Sequence, residues 1–196
     1  MLYVLSTSQE AWRGEAVPAT LVTPIRASDL SDWWARWMGL DALEPAPELT
    51  LTVPSDAPLP DNLFALTVLF LYSERLIRLL RSVDIRFQSF PVRLVDKGTG
   101  APIRQTYHAF RLLETMNCID YDQSIIGQGR TPDIDKLVLK AECYDANRPM
   151  FRLERFFLTI INPNLQTILE AEHMTGFKYV PLAEYRKGLK WIHKGQ

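Results

Sequence analysis

Five prolines lie between residues 44 and 60 of this 196-residue chain, and they restrict the fold more than any other sequence feature. Proline fixes φ and has no amide hydrogen, so it interrupts helices and the central strands of sheets. Within this stretch only Leu49–Val53 alternates apolar with polar residues as a half-buried strand does. We therefore predict an extended connection. It divides an acidic, Trp- and Pro-rich N-terminal subdomain, residues 1–60, from an α+β core, residues 61–196, within one compact unit.

Two helices are predicted from their first turns. Ser73 is a suitable N-cap, and Asn162 followed by Pro163 provides the cap and first residue that helices favour. Apolar residues then recur at helical spacing on one face, which we expect to be buried. These residues are Leu76, Ile77, Leu79, Leu80 and Val83 in the first helix and Leu165, Ile168 and Leu169 in the second.

Short β-rich runs on either side of these helices are typical of strands. They are residues 2–5, 49–53, 87–95, 107–113, 133–140, 151–153, 156–161 and 177–182. We therefore expect an α+β fold in which a mixed or antiparallel sheet, containing residues 87–95 and 177–182, is flanked by a few short helices. The two helix–strand units resemble each other, and either a duplication or the common use of this arrangement explains the likeness.

Charge is unevenly distributed. The net charge of −1 does not suggest that the surface as a whole binds nucleic acid or an anionic membrane. Residues 1–60 hold eight acidic and three basic side chains, a net charge of −5, and the remainder carries +4. The basic residues near the C-terminus, from Arg186 to Lys194, favour a solvated helix end or a frayed terminus over a tail that binds RNA or a membrane.

The cysteines and the apolar segments bear on the compartment. Cys118 and Cys143 are the only cysteines, too few for a disulfide framework, and they favour a reducing compartment. The N-terminus lacks the basic region and apolar run of a signal peptide. The longest apolar stretch, residues 63–72, is far short of the roughly 20 residues that a membrane-spanning helix needs. We expect a soluble, cytoplasmic protein.

Motifs for metal binding and catalysis are absent from the sequence. His108, His173 and His193 are isolated, and neither cysteine has a second ligand at zinc-site spacing. There is no G-x-S-x-G motif, and Gly127-Gln128-Gly129 lacks the third glycine and the Lys-Ser/Thr of phosphate loops. The sequence therefore predicts no metal, no cofactor and no catalytic residues.

A group of aspartates supports the alternative hypothesis of an enzyme. Pro132-Asp133 could begin a nuclease signature, but no later acid stands two residues before a lysine to complete it. Aspartates at strand edges and turns are the ordinary explanation. The alternative is a small hydrolase-like enzyme whose site is assembled from Asp120, Asp122, Asp133 and Asp135 together with His108.

Three tryptophans lie close together on a helix predicted between Ser28 and Gly39. Trp33 and Trp37 share a helix face, Trp34 lies beside them, and two aspartates stand in the first turn. Core packing is the usual role of such residues. The functional alternative is an aromatic patch that anchors a protein partner, because tryptophan is enriched at binding hot spots.

Five strings in the second half of the chain carry a resemblance to a known family. They are residues 73–76, 87–92, 135–139, 151–154 and 175–181, in the family's order. They resemble immunity family eleven of bacterial polymorphic toxin systems, which is defined by a myxobacterial immunity protein. The resemblance covers a little over half of the chain and is weaker in residues 1–60.

The resemblance implies a protein that binds and neutralises a cognate toxin in the cytoplasm. From the charge, the apolar segments and the absence of motifs, we expect no cofactor and neither nucleic acid nor a membrane as partner. The resemblance supplies no catalytic residues, and it leaves open a homodimer and a regulatory scaffold of the same fold. We predict the partner surface on the N-terminal third, where the charge is −5 and the resemblance is weak. Its predicted residues are Trp33, Trp34, Trp37, Asp29 and Asp32.

Overall fold

The computed structural model describes residues 1–7, 20–21, 37, 48–54, 58–66, 69–128, 132–145, 147–154, 156 and 158–187. The chain divides into two compact units, each built from separate stretches of sequence. The first unit comprises Met1–Ser6, Thr115–Glu170 and Tyr179–Gln196, and the second unit comprises Thr7–Glu114 and Ala171–Lys178. Residue 60, where the prolines suggest a subdomain boundary, lies inside the second unit.

Strands predominate among the described residues, and two α-helices accompany them. The elements in chain order are β1 (Tyr3–Thr7), β2 (Thr20–Leu21), β3 (Leu49–Val53), β4 (Asn62–Leu66), β5 (Leu69–Ser73), α1 (Glu74–Arg81), β6 (Phe87–Asp96), β7 (Tyr107–Leu112), β8 (Thr115–Met116), β9 (Ile125–Ile126), β10 (Ile134–Lys136), β11 (Met150–Leu153), β12 (Thr159–Ile161), α2 (Pro163–Ala171) and β13 (Phe177–Pro181). The predicted α+β class is confirmed.

Both helices begin at the predicted caps. The Ser73 hydroxyl accepts a hydrogen bond from the Leu76 amide at 3.2 Å, and the Asn162 side chain accepts one from the Leu165 amide at 2.8 Å. These bonds satisfy amides that the first turn of a helix leaves without partners. Five of the predicted inward residues are buried: Leu76, Ile77 and Leu80 in α1, and Leu165 and Leu169 in α2. The other three, Leu79, Val83 and Ile168, are only half-buried.

A six-stranded mixed sheet with the order β2-β3-β6-β7-β5-β4 forms the second unit. Strands β3 and β6 pair in parallel, and their neighbours pair antiparallel. Strand β3 alternates buried and half-buried residues, as its Leu-Thr-Leu-Thr-Val sequence predicts. Helix α1 follows β5 directly and packs against β5 and β7.

The two faces of this sheet carry different side chains. One face forms the core, where residues such as Leu51, Leu71 and Tyr107 are completely buried. The other face is aromatic: the rings of Tyr72 and Phe110 stack with centroids 4.3 Å apart. Alternation along each strand places every second residue on the same face.

A five-stranded sheet with the order β13-β1-β12-β11-β8 forms the first unit, with β9 and β10 as a separate antiparallel pair. Strand β12 lies between β1 and β11 and pairs antiparallel with both. Its central residue Ile160 is completely buried, and Val4 and Phe151 lie opposite it on the neighbouring strands and are buried as well. This three-strand ladder forms the centre of the unit.

Several predictions about strands were wrong in detail. Residues 87–95 and 177–182 belong to different sheets, because β6 pairs with β3 and β7 whereas β13 lies beside β1. Residues 63–66 and 69–72 of the longest apolar run belong to an antiparallel pair, β4 and β5, for which no strands were predicted. The strand predicted at residues 133–140 ends at Lys136, because the backbone groups of Val138 and Lys140 bond instead to the segment at residues 118–124.

Candidate functional site

The predicted aromatic site can be assessed only at Trp37, because Trp33, Trp34, Asp29 and Asp32 lie outside the described residues. Trp37 is 2% exposed and its ring lies 5.9 Å from that of Phe90. Its carbonyl accepts a 2.7 Å hydrogen bond from the buried Arg111 guanidinium. Trp37 is therefore a core residue that packs against the six-stranded sheet and is hydrogen-bonded to it, and its ring is not exposed to a partner.

Two groups of the alternative enzyme hypothesis, Asp120 and His108, take part in local structure. The Asp120 carboxylate accepts hydrogen bonds from the Asp122 and Gln123 amides and from the Gln123 side chain, as in an ordinary turn. His108 lies 2.5 Å from the Glu74 carboxylate at the start of α1. Among the described residues, no three His, Cys, Asp or Glu side chains gather to hold a metal ion.

The two cysteines are buried in the first unit and are free thiols. Burial raises the pKa of the Cys118 thiol, and its hydrogen bond with Cys143 raises it further. A thiol acts as a nucleophile in its ionised form. Cys118 therefore stays protonated at neutral pH and is packed like a small apolar residue.

A polar cluster that the sequence did not indicate lies in the second unit around Asp61. We call it the Asp61 clasp; its members are Asp61, Ser73, Arg75 and Thr175. The Asp61 carboxylate accepts a 2.6 Å bond from the Ser73 hydroxyl and a 2.7 Å bond from the Arg75 guanidinium. It also accepts bonds of 3.0 and 3.1 Å from the Thr175 amide and hydroxyl, 114 residues away in sequence.

Hydrogen bonds also join the two chain segments next to the clasp. The Asn62 amide donates to the Thr175 carbonyl and the Asn62 side chain donates to the Gly176 carbonyl, both at 3.1 Å. Gly176 has a φ of +85°, and a Cβ at this position would overlap the Asn62 carbonyl oxygen. Glycine is therefore required here, both for the left-handed backbone and for the close approach of the two segments.

The electrostatics of the clasp favour an ionised Asp61. Burial by itself raises the pKa of this carboxyl, but the hydrogen bonds from Arg75, Ser73 and Thr175 outweigh it and lower the pKa to about 2. Stabilisation of the charged form by convergent donors has this effect. The clasp is a structural device, because every polar group that meets at Asp61 is engaged within the protein. It also joins two strings that carry the family resemblance, residues 73–76 and 175–181.

In the described part of the first unit, a surface groove is a candidate site for contact with another molecule. It encloses about 290 Å³ and is lined by residues 1–2, 136–138, 144, 182–183 and 186. Leu2, Leu137 and Leu182 are each at most 5% exposed, so they form an apolar floor. Met1 and Tyr144 are 76% and 48% exposed and form part of the rim.

Two cations and no acidic residue line the groove. Lys136 is exposed at the end of β10, and the Arg186 guanidinium donates to the Ala183 and Tyr185 carbonyls at 2.9 and 2.8 Å. The Lys187 backbone exchanges two hydrogen bonds with Ile134 of β10. Arg186 and Lys187 are therefore held in place, whereas Lys190 and Lys194, which the prediction of a solvated helix end or frayed terminus also covered, lie outside the described residues.

Comparison with known protein families gives a match. The model of a family described as "Immunity protein family (Imm11)" matches residues 14–184, most of the chain. No curated protein matches the sequence. In the part of the chain that the structure describes, no helix has the length and apolar character needed to cross a membrane.

Proposed function

The chain belongs to the Imm11 immunity protein family, and we propose that it protects a bacterial cell by binding a cognate protein toxin and blocking it without catalysis. The observation that carries this proposal is the family match over residues 14–184. The proposal places the protein in the cytoplasm, where a toxin delivered from another cell would act. Free thiols at Cys118 and Cys143 are compatible with that reducing compartment.

The chemistry of the described residues is consistent with a binding protein. Asp61 is engaged by the clasp, Asp120 by a turn, and Glu74 by His108. These contacts give Asp61, Asp120 and Glu74 hydrogen-bonding partners within the protein, which supports structural roles for these three residues. A binding protein needs a stable scaffold and an exposed face that matches its partner.

We retain the N-terminal third as a proposed partner surface, centred on Trp33 and Trp34 with Asp29 and Asp32 at its acidic rim. Trp37 serves in this proposal as the buried attachment of the segment. Trp33→Ala or Trp34→Ala should weaken toxin binding by about 2 kcal/mol without lowering the melting temperature. Trp37→Ala should instead destabilise the fold. Unchanged affinity in both Trp33 and Trp34 variants would refute this surface.

The mode of protection is tested by co-expression with the cognate toxin, which this proposal expects to be encoded beside the gene. The wild-type chain should rescue growth and form a complex of fixed stoichiometry in size-exclusion chromatography with light scattering. Alanine variants of Asp120, Asp122, Asp133, Asp135 and His108 should protect as well as the wild type does. An enzyme would be indicated instead if the protein protected cells at far less than one molecule per toxin molecule. Loss of protection in a variant that still folds and binds the toxin would indicate the same.

A further inference from the structure

We propose that the groove of the first unit binds a segment of the toxin that presents an apolar side chain next to a carboxylate. This inference rests on the proposed function and assigns one of the surfaces that carry it out. The groove is defined by its apolar floor, formed by Leu2, Leu137 and Leu182, and by the cations Lys136 and Arg186 at its edge.

The size of the groove indicates what can enter it. A volume of about 290 Å³ is at the lower end of the range of small-molecule sites, which is roughly 300–1,000 Å³. It therefore suits one or two side chains of a protein partner. Exposed Met1 and Tyr144 at the rim would lose apolar surface to the same partner, which favours association.

Among the described residues, the exposed large hydrophobic side chains lie in this unit. The large hydrophobic residues that the described part of the chain leaves exposed are Met1, Tyr121, Ile125 and Tyr144, and all four belong to the first unit. Two of them line the groove. An exposed apolar area with a polar rim is typical of a protein–protein interaction site.

The positive charge at the groove favours an acidic partner segment. Lys136 and Arg186 give the groove a positive edge, and no acidic residue lines it. The Arg186 guanidinium already donates hydrogen bonds to two carbonyl groups, so the Arg186 side chain loses little conformational freedom when it binds a carboxylate. An acidic segment would therefore be attracted and oriented, whereas a basic segment would be repelled.

The structure offers matched controls for both kinds of contact. Lys140 is exposed in the same unit, four residues beyond Lys136, and does not line the groove. Tyr121 is 48% exposed, the same fraction as Tyr144, and also lies outside the lining. Lys136→Glu is therefore compared with Lys140→Glu, and Tyr144→Ala with Tyr121→Ala.

The experiment measures the affinity of the full chain for the purified toxin encoded beside its gene, by isothermal titration calorimetry at two salt concentrations. Lys136→Glu and Tyr144→Ala should each weaken binding about tenfold or more. Lys140→Glu and Tyr121→Ala should stay within about twofold of the wild type, because surface positions outside the contact contribute little. Added salt should weaken wild-type binding more than that of Lys136→Glu. Melting curves must show that all four variants remain folded.

Three results would overturn the inference. If wild-type chain binds the toxin and all four variants bind equally well, the groove is not the contact and the immunity function stands. If the wild-type chain does not bind the toxin, the proposed function itself fails. If sedimentation shows that Lys136→Glu abolishes self-association while toxin affinity is unchanged, a second copy of the chain occupies the groove.

Discussion

Asp61→Asn should lower the free energy of unfolding by about 2 kcal/mol at pH 7. The substitution keeps the shape of the side chain but removes the charge that Arg75, Ser73 and Thr175 stabilise. The pKa of Asp61 falls from 3.8 to about 2 in the folded protein. Each pKa unit corresponds to about 1.4 kcal/mol, so the ionised carboxylate contributes about 2 kcal/mol.

The same shift determines the pH dependence. The folded-state pKa of Asp61 is lower than the unfolded-state value, so its contribution is complete above pH ~4–5 and is lost as the pH falls through 2. The stability difference between wild type and Asp61→Asn should therefore shrink to roughly half at pH 3. At pH 7 it should be independent of small changes in pH.

Urea denaturation followed by circular dichroism measures this difference at pH 7, 5, 4 and 3. Asp122→Asn is the control, because Asp122 is an exposed aspartate of the first unit. Its effect should stay within about 0.5 kcal/mol at pH 7. A difference between wild type and Asp61→Asn that stays constant from pH 7 to pH 3 would show that the charge of Asp61 contributes nothing to the fold.

Two further predictions test the packing, with free energies of unfolding from urea denaturation as the measurement. Leu80→Ala and Leu169→Ala should each cost about 2–5 kcal/mol because both side chains are 1% exposed, and losses below about 1 kcal/mol would contradict the assigned helical faces. Gly100→Ala should cost about 1 kcal/mol for its positive φ alone. Gly176→Ala should cost roughly twice as much or more because its Cβ would also overlap Asn62, and equal losses would refute the close approach.

The helices were predictable because their signals are local. The Ser73 side chain accepts a hydrogen bond from the amide of Leu76, three residues further on, and Asn162 accepts one from Leu165 at the same spacing. The strand Leu49–Val53 was predictable for the same reason, since its alternation lies entirely within five residues. In each case the sequence window that carries the signal is as long as the structure that it forms.

Strand partners and the Asp61 clasp were not predictable from the sequence. Nothing in the sequence near residues 87–95 or 177–182 indicates that they belong to different sheets, because pairing depends on distant segments. Asp61, between Pro60 and Asn62, looks like an ordinary turn aspartate. Its role depends on Thr175, which is 114 residues away.

The candidate binding surfaces show a similar division. The group of three tryptophans was visible in the sequence. The burial of Trp37 was not, because it depends on the sheet and on Arg111, which are distant in sequence. The groove was missed because its lining comes from separate stretches of the chain. Its only local signals were the basic residues around Arg186, which were assigned to a solvated helix end or a frayed terminus.

The interleaving of the two units has a consequence for synthesis on the ribosome. Strand β1 is made first, yet its hydrogen-bonding partner β12 emerges more than 150 residues later. At roughly 5–20 residues per second, Tyr3–Thr7 waits on the order of ten seconds before it can pair. During that time the six strands of the other sheet, all complete by Leu112, have the opportunity to assemble. Strand β1 therefore stays without this partner while the residues between β1 and β12 are made, and slower elongation would lengthen its exposure to aggregation.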